Sequence, residues 1–147
     1  MKIGIAARGL YGQGGPRQYI ESLLTALLKV GEEHEYYYFY NSPDFKGKYP
    51  EAKEIVLESS SKLVWDYYHI PKAVTEYGID VMFFPKNVLP FSVGCKSIIA
   101  IHDLAYFIPE LNAYPLIDTV YMRLMIKSSA KRAHQIIAIS ENTKRMY

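Results

Sequence analysis

One cysteine, Cys95, leaves no internal disulfide and no thiolate metal cluster open to this chain. A lone thiol fits a reducing compartment, and a cytoplasmic protein is the expectation. An excess of one charge is also missing: 17 Lys and Arg stand against 15 Asp and Glu, far from the basic footprint of a nucleic-acid binder. No apolar run approaches the roughly 18 residues needed to cross a bilayer. The start "MKIGIAARG" has neither the apolar region nor the small-residue cleavage site of a signal peptide. His34, His69, His102 and His134 fall on different predicted elements without a two-histidine motif, so no metal is expected.

Two nucleotide signatures are absent as well. No G-K-[ST] occurs, which removes the P-loop triphosphatases. The dinucleotide pattern G-x-G-x-x-G begins at Gly12 and Gly14 but meets Arg17 where the third glycine belongs. Asn41 follows the second strand where an acidic residue would hold ribose hydroxyls, so a nicotinamide or flavin enzyme is disfavoured.

What remains is a regular alternation. "KIGIA" (2–6) predicts a buried first strand. From about Arg17 to Val30, apolar residues recur at three- and four-residue spacing and mark a helix closed by Gly31. "EYYYFY" (35–40) and "KEIVLE" predict the next two strands. Serines 59 to 61 can cap a helix carrying Leu63, Val64, Tyr67, Ile70 and Val74, with Pro71 as a point of kinking. "IDVMFFP" (79–85) and "KSIIAIHD" (96–103) are further buried strands. A Tyr- and Pro-rich loop covers about 104 to 115, then Ile117, Val120, Tyr121, Leu124, Met125 and Ser128 line a helix to about Arg132. "HQIIAIS" makes a last strand before a short terminal helix.

Strands apolar on both sides, alternating with helices, predict an α/β fold: a Rossmann-like, mostly parallel sheet with helices on both faces. Such sheets bind ligands at the carboxyl ends of their strands. The notable polar groups fall there: the glycine loop, Pro85 to Asn87, His102 with Asp103, and Ser140 with Glu141. In "GQGGPRQYIESLL", Gly14 and Gly15 expose backbone N–H groups ahead of the positive end of a helix, Pro16 suits its first turn, and Arg17 adds a charge. Phosphate binding and a simple tight turn are both compatible with that stretch.

The remaining site residues have structural readings beside functional ones. His102 can donate a hydrogen bond to a sugar hydroxyl, or can be a packed histidine. Asp103 can cap and pin the loop that follows it. Asn87 can bind hydroxyls of an acceptor. Ser140 caps the final helix, and Glu141 suits its positive first turn. Glu110 and Asp118 cannot be assigned as an acid–base pair, because such a pair is defined by separation in space. In "EYYYFY", one face is expected to pack beneath helices, the other to cover helix surface or meet a neighbour. Arg123, Lys127, Lys131 and Arg132 form either a solvated face or a surface that touches anionic lipid.

Four segments taken in order, "KIGIAARGL", "GGPRQYIESLLTAL", "IIAIHDLAYFIPE" and "RAHQIIAISENTKR", resemble the amino-terminal domain of retaining glycosyltransferases of the two-Rossmann-domain (GT-B) type. That family includes glycogen, sucrose-phosphate and bacterial mannosyl or glucosyl transferases. The resemblance spans the whole chain. It implies an acceptor-side domain whose Gly14 and Gly15 approach the diphosphate of a nucleotide-sugar donor, with His102 beside the transferring sugar and "SEN" bordering the cleft. It further implies a carbohydrate or lipid-linked acceptor, contact with the cytoplasmic face of a membrane, and a carboxyl-terminal donor domain. The paired glutamates of that domain, seven residues apart, have no counterpart here, so the fragment alone is expected to be inactive and its open cleft prone to self-association. The last helix has barely begun at Tyr147, which reads as a truncation. Two departures stand out: Ala6 where relatives commonly have aspartate, and Pro16, Arg17 and Gln18 where they often have a small residue, Gly and Arg. The competing class is a non-enzymatic α/β domain whose glycine loop holds an anion.

Overall fold

The computed structural model describes residues 1–147 except 13, 103, 109–113 and 147, with backbone alone at 9, 11, 142 and 146. Strands β1 (Lys2–Ala6), β2 (Glu35–Tyr40), β3 (Lys53–Val56), β4 (Val81–Phe84), β5 (Lys96–Ile101) and β6 (Gln135–Ala138) form a six-stranded sheet of order β3-β2-β1-β4-β5-β6. Every pairing is parallel. All six predicted strands are present, β1 and β2 at their predicted bounds and β3 to β6 trimmed at their ends, and the fold is a Rossmann-like α/β domain.

Helix α1 (Gly15–Val30) covers one face, burying Ile20 and Leu24 against Ile5, Tyr36, Tyr38 and Ala100. On the other side α2 (Lys62–Val64), all of it exposed, leads towards α3 (Ile70–Tyr77), which covers that face together with α4 (Leu116–Arg132). There Trp65, Ile70, Val74 and Ile126 pack on Tyr37, Phe39, Met82, Ile99 and Ile101. Helices α2 and α3 are joined without interruption by a π-helical turn at Trp65–His69, closed by the amide of Ile70 on the Trp65 carbonyl. The wider turn lies directly ahead of Pro71, whose ring brings no N–H to the helix ladder. Ser61 caps the start, its hydroxyl accepting from the Val64 amide.

Central placement explains the tyrosine run. β2 lies between β1 and β3, and both of its faces meet packed side chains rather than solvent. Tyr36, Tyr38 and Tyr40 go to the α1 side, Tyr37 and Phe39 to the other, and all five are buried. Burying a phenol requires a partner for its hydroxyl. Tyr38 donates to the Leu24 carbonyl at 2.7 Å and Tyr40 to Glu54 Oε1 at 2.8 Å.

Helix α4 departs from the expected orientation. Ile117, Val120, Tyr121 and Leu124 point outward, with Ile117 83% and Leu124 64% exposed. Of the expected face Met125 is buried, and Ile126, Ser129 and Ala130 join it in the core. Apolar residues lie on more than one side of this helix, so periodicity alone did not identify the side that meets the sheet. Two of its basic residues pin loops: Arg123 Nε donates to the Tyr106 carbonyl, and Arg132 donates to the Leu89 and Pro90 carbonyls at 2.8 Å each. Among the described residues no helix is long and apolar enough to cross a membrane.

Candidate functional site

Strand order decides where a site can form. β1 leads to β2 and β3 on one side, while β4, β5 and β6 continue on the other, so the sheet changes direction between β1 and β4. Loops leaving adjacent strands diverge at such a point and open a crevice beyond their carboxyl ends. A cleft of about 270 Å³ lies there. Ala6 and Arg8 enter it from the end of β1, Phe84 to Val88 from the end of β4, and His102 from the end of β5; Pro16 of α1 and Lys62, Trp65 and Asp66 of the helix ahead of β4 close its sides.

The segment between β4 and β5 has no helix of its own, yet it is firmly attached. Ser129 Oγ accepts from the buried Leu89 amide at 2.8 Å and donates to the Met125 carbonyl at 2.7 Å. With Arg132 on the next two carbonyls, this holds the stem that presents Lys86 and Asn87. Asn87 Oδ1 in turn accepts from the backbone amide of His102 at 2.9 Å. The His102 ring sits edge-on to Tyr19, with centroids 4.8 Å apart, and its Nε2 lies 2.9 Å from the Pro85 carbonyl. A carbonyl only accepts, so Nε2 carries the proton and Nδ1 is left as the ring's acceptor. The chemistry open to this ring is to receive a hydroxyl proton at Nδ1, or to donate from Nδ1 once protonated.

The expected site residues divide by position. His102 and Asn87 line the cleft together. Among the described residues of the glycine loop, Pro16 alone borders it. Gly14, at φ 80, forms the exposed N-cap of α1. Arg17 Nε lies 3.3 Å from Glu21 Oε1, its guanidinium over the Phe45 ring. Arg17 and Lys48 together hold the Glu21 carboxyl below its ordinary value, with the Lys48 hydrogen bond the larger cause. Ser140 acts as a cap: its hydroxyl accepts from the Thr143 amide at 3.1 Å. It reaches the site only indirectly, since Thr143 Oγ1 donates to the His102 carbonyl at 3.3 Å. Glu141 is exposed beside Lys144. Asp103 and Glu110 lie outside the described residues. Among the described residues no group of three or more His, Cys, Asp or Glu is placed to hold a metal ion.

Sequence reasoning missed the charged wall of the cleft. Arg8, Lys62 and Lys86 converge there around one carboxylate, Asp66. Lys62 Nζ stands 3.9 Å from Asp66 Oδ2 across one helical turn. Burial raises the Asp66 carboxyl above its ordinary value, opposed by Lys62, Arg8 and Lys86. Burial lowers the Lys86 ammonium, reinforced by Lys62 and Arg8 and opposed by Asp66. Among the described residues, Arg8 Nε and Trp65 Nε1 are buried without a hydrogen-bond partner. The available signals were the helical spacing of Lys62, Trp65 and Asp66 and a cation just beyond each of two buried strands. Comparison with protein-family models, with curated proteins and with solved structures finds no match for this chain.

Proposed function

We propose that this chain is the acceptor-side domain of a retaining, two-Rossmann-domain glycosyltransferase, which moves a sugar from a nucleotide-sugar donor to a carbohydrate or lipid-linked acceptor. The observation that carries the proposal is the convergence of Asn87 and His102, from the ends of neighbouring strands, in a cleft at the point where the sheet changes direction. Amide and imidazole groups suit hydroxyl recognition, and Nδ1 of His102 is oriented by the Nε2 contact to Pro85. A carboxyl-terminal domain would bring the donor to the same cleft, its diphosphate facing the Gly14–Gly15 corner. The work is assigned to the cytoplasm, with the outward apolar residues of α4 set against the membrane that carries a lipid-linked acceptor; pelleting with anionic vesicles tests that assignment.

The decisive experiment uses a protein carrying both domains. His102→Ala should lower turnover about 10- to 1000-fold while nucleoside diphosphate affinity stays near that of the parent, because a bond to a reacting sugar matters most as charge develops. His102→Gln, able to keep a donor near the Pro85 carbonyl but lacking Nδ1, should remain impaired. Unchanged turnover in both variants would remove His102 from the chemistry. The 147-residue chain alone should transfer nothing from common nucleotide sugars, and transfer by it would end the requirement for a donor domain.

A further inference from the structure

We propose that the cleft takes a sugar phosphate, with Arg8, Lys62, Lys86 and Trp65 binding the phosphoryl oxygens while Asn87 and His102 face the sugar. The sugar half rests on the acceptor-side reading given above; the phosphate half rests on the donor set itself.

Arginine, lysine and the indole N–H donate hydrogen bonds and accept none. Four such groups from three separate segments line one small cleft, and among the described residues that line it the one carboxylate is Asp66. Among the described lining residues three cations stand against one anion, an excess of positive charge. Like charges brought together repel: beside the larger effect of partial burial, Lys62 and Arg8 both act against the Lys86 ammonium. Buried polar atoms normally find partners, yet Arg8 Nε and Trp65 Nε1 have none among the described residues. The ligand that answers all of these features is one rich in acceptor oxygens and negatively charged.

Asp66 bears on the choice of anion. It repels any anion, so the ligand must engage several donors at once to offset that repulsion. A phosphate ester presents three terminal oxygens and suits the fork of an arginine better than a single carboxylate does. The cleft volume of about 270 Å³ lies near the lower limit for ligand pockets, with room for one small molecule. The walls of the cleft also carry Asn87, His102 and the Tyr106 ring, which stacks on Tyr114 at a centroid distance of 4.2 Å. Aromatic and hydrogen-bonding groups lining the same cleft as the cations suit a molecule that carries both a sugar and a phosphate.

Isothermal titration of the 147-residue chain at low ionic strength tests this, with glucose 6-phosphate, inorganic phosphate and glucose as separate probes. Glucose 6-phosphate should bind most tightly, inorganic phosphate more weakly, and glucose weakest, with affinity for the first two falling as salt rises. Lys86→Gln and Lys62→Gln should each weaken glucose 6-phosphate about tenfold. Lys29→Gln, on the far side of α1, should leave it unchanged. Both cleft lysines are exposed residues, and circular dichroism of each variant establishes that it is folded. Equal binding of glucose and glucose 6-phosphate, or cleft variants that bind like the parent, would overturn the phosphate assignment. Inorganic phosphate binding as tightly as glucose 6-phosphate would overturn the sugar assignment. No donor domain is needed for this measurement, so a failure to transfer sugar leaves its outcome untouched.

Discussion

Asn87 Oδ1 accepts the backbone amide of His102 at 2.9 Å, tying the loop after β4 to the end of β5 across one edge of the cleft. A side chain thereby does what a strand ladder can no longer do once the two chains diverge. His102 returns the link through Nε2 and the Pro85 carbonyl, so each loop holds the other.

Removing that acceptor should be costly beyond the loss of one bond. Asn87→Ala leaves the part-buried His102 amide without its partner and should lower stability by about 1–3 kcal/mol. Asn87→Asp keeps an acceptor oxygen in place and should recover most of it. Urea unfolding of the two variants beside the parent measures the difference, and equal midpoints for Asn87→Ala and the parent would show that this bond holds nothing.

The two glycines at the start of α1 should respond in opposite ways. Gly14 adopts φ 80 and ψ −156, a region nearly closed to residues with a Cβ, so Gly14→Ala should cost about 1–3 kcal/mol. Gly15 is the first helical residue, and a Cβ there meets nothing within 4 Å. Gly15→Ala should be neutral or stabilising by up to ~1 kcal/mol. Thermal melts that rank the variants the other way would contradict the backbone described for this corner.

The orientation of α4 is open to the same kind of check. Ile126 is fully buried and Ile117 is 83% exposed, although both are isoleucines on one helix. Ile126→Ala should destabilise by about 2–5 kcal/mol, whereas Ile117→Ser should change stability by less than ~0.5 kcal/mol. If Ile117→Ser proved the more damaging, the outward face would have to be reassigned.

Cys95 provides a prediction in pH. Burial, with a smaller contribution from Asp80, pushes its thiol up to about 11, against a backbone hydrogen bond from Met82 that favours the thiolate. Folding therefore favours the protonated thiol. That contribution is complete below the ordinary value of 9.0 and is lost as pH rises through about 11. At pH 8 the thiolate fraction should be ~100-fold below that of an unshifted thiol, and alkylation by iodoacetamide correspondingly slow. A rate profile with its midpoint near 9 would refute the shift.

Much of this architecture was readable before any coordinates. Uniformly apolar strands such as "VMFF" and "KSIIAI", separated by long helices, have few solutions other than a parallel sheet covered on both faces, because only that arrangement buries both sides of every strand. Placement of polar residues just after those strands was also enough to single out Asn87 and His102. The distant partners were decided by tertiary structure alone. No spacing relates Arg8 to Lys86, or either of them to the Lys62–Asp66 turn; strand order brings them together, and strand order follows from which crossovers pack on which face. The same holds for α4, whose apolar residues exceed what one face can bury, so that contact with Ile99 and Ile101 of β5, rather than periodicity, selected Ile126 for the core. Local patterns record what each segment needs to bury, whereas a cleft is made of what several segments leave unburied in common, and that is settled only when the sheet closes its order.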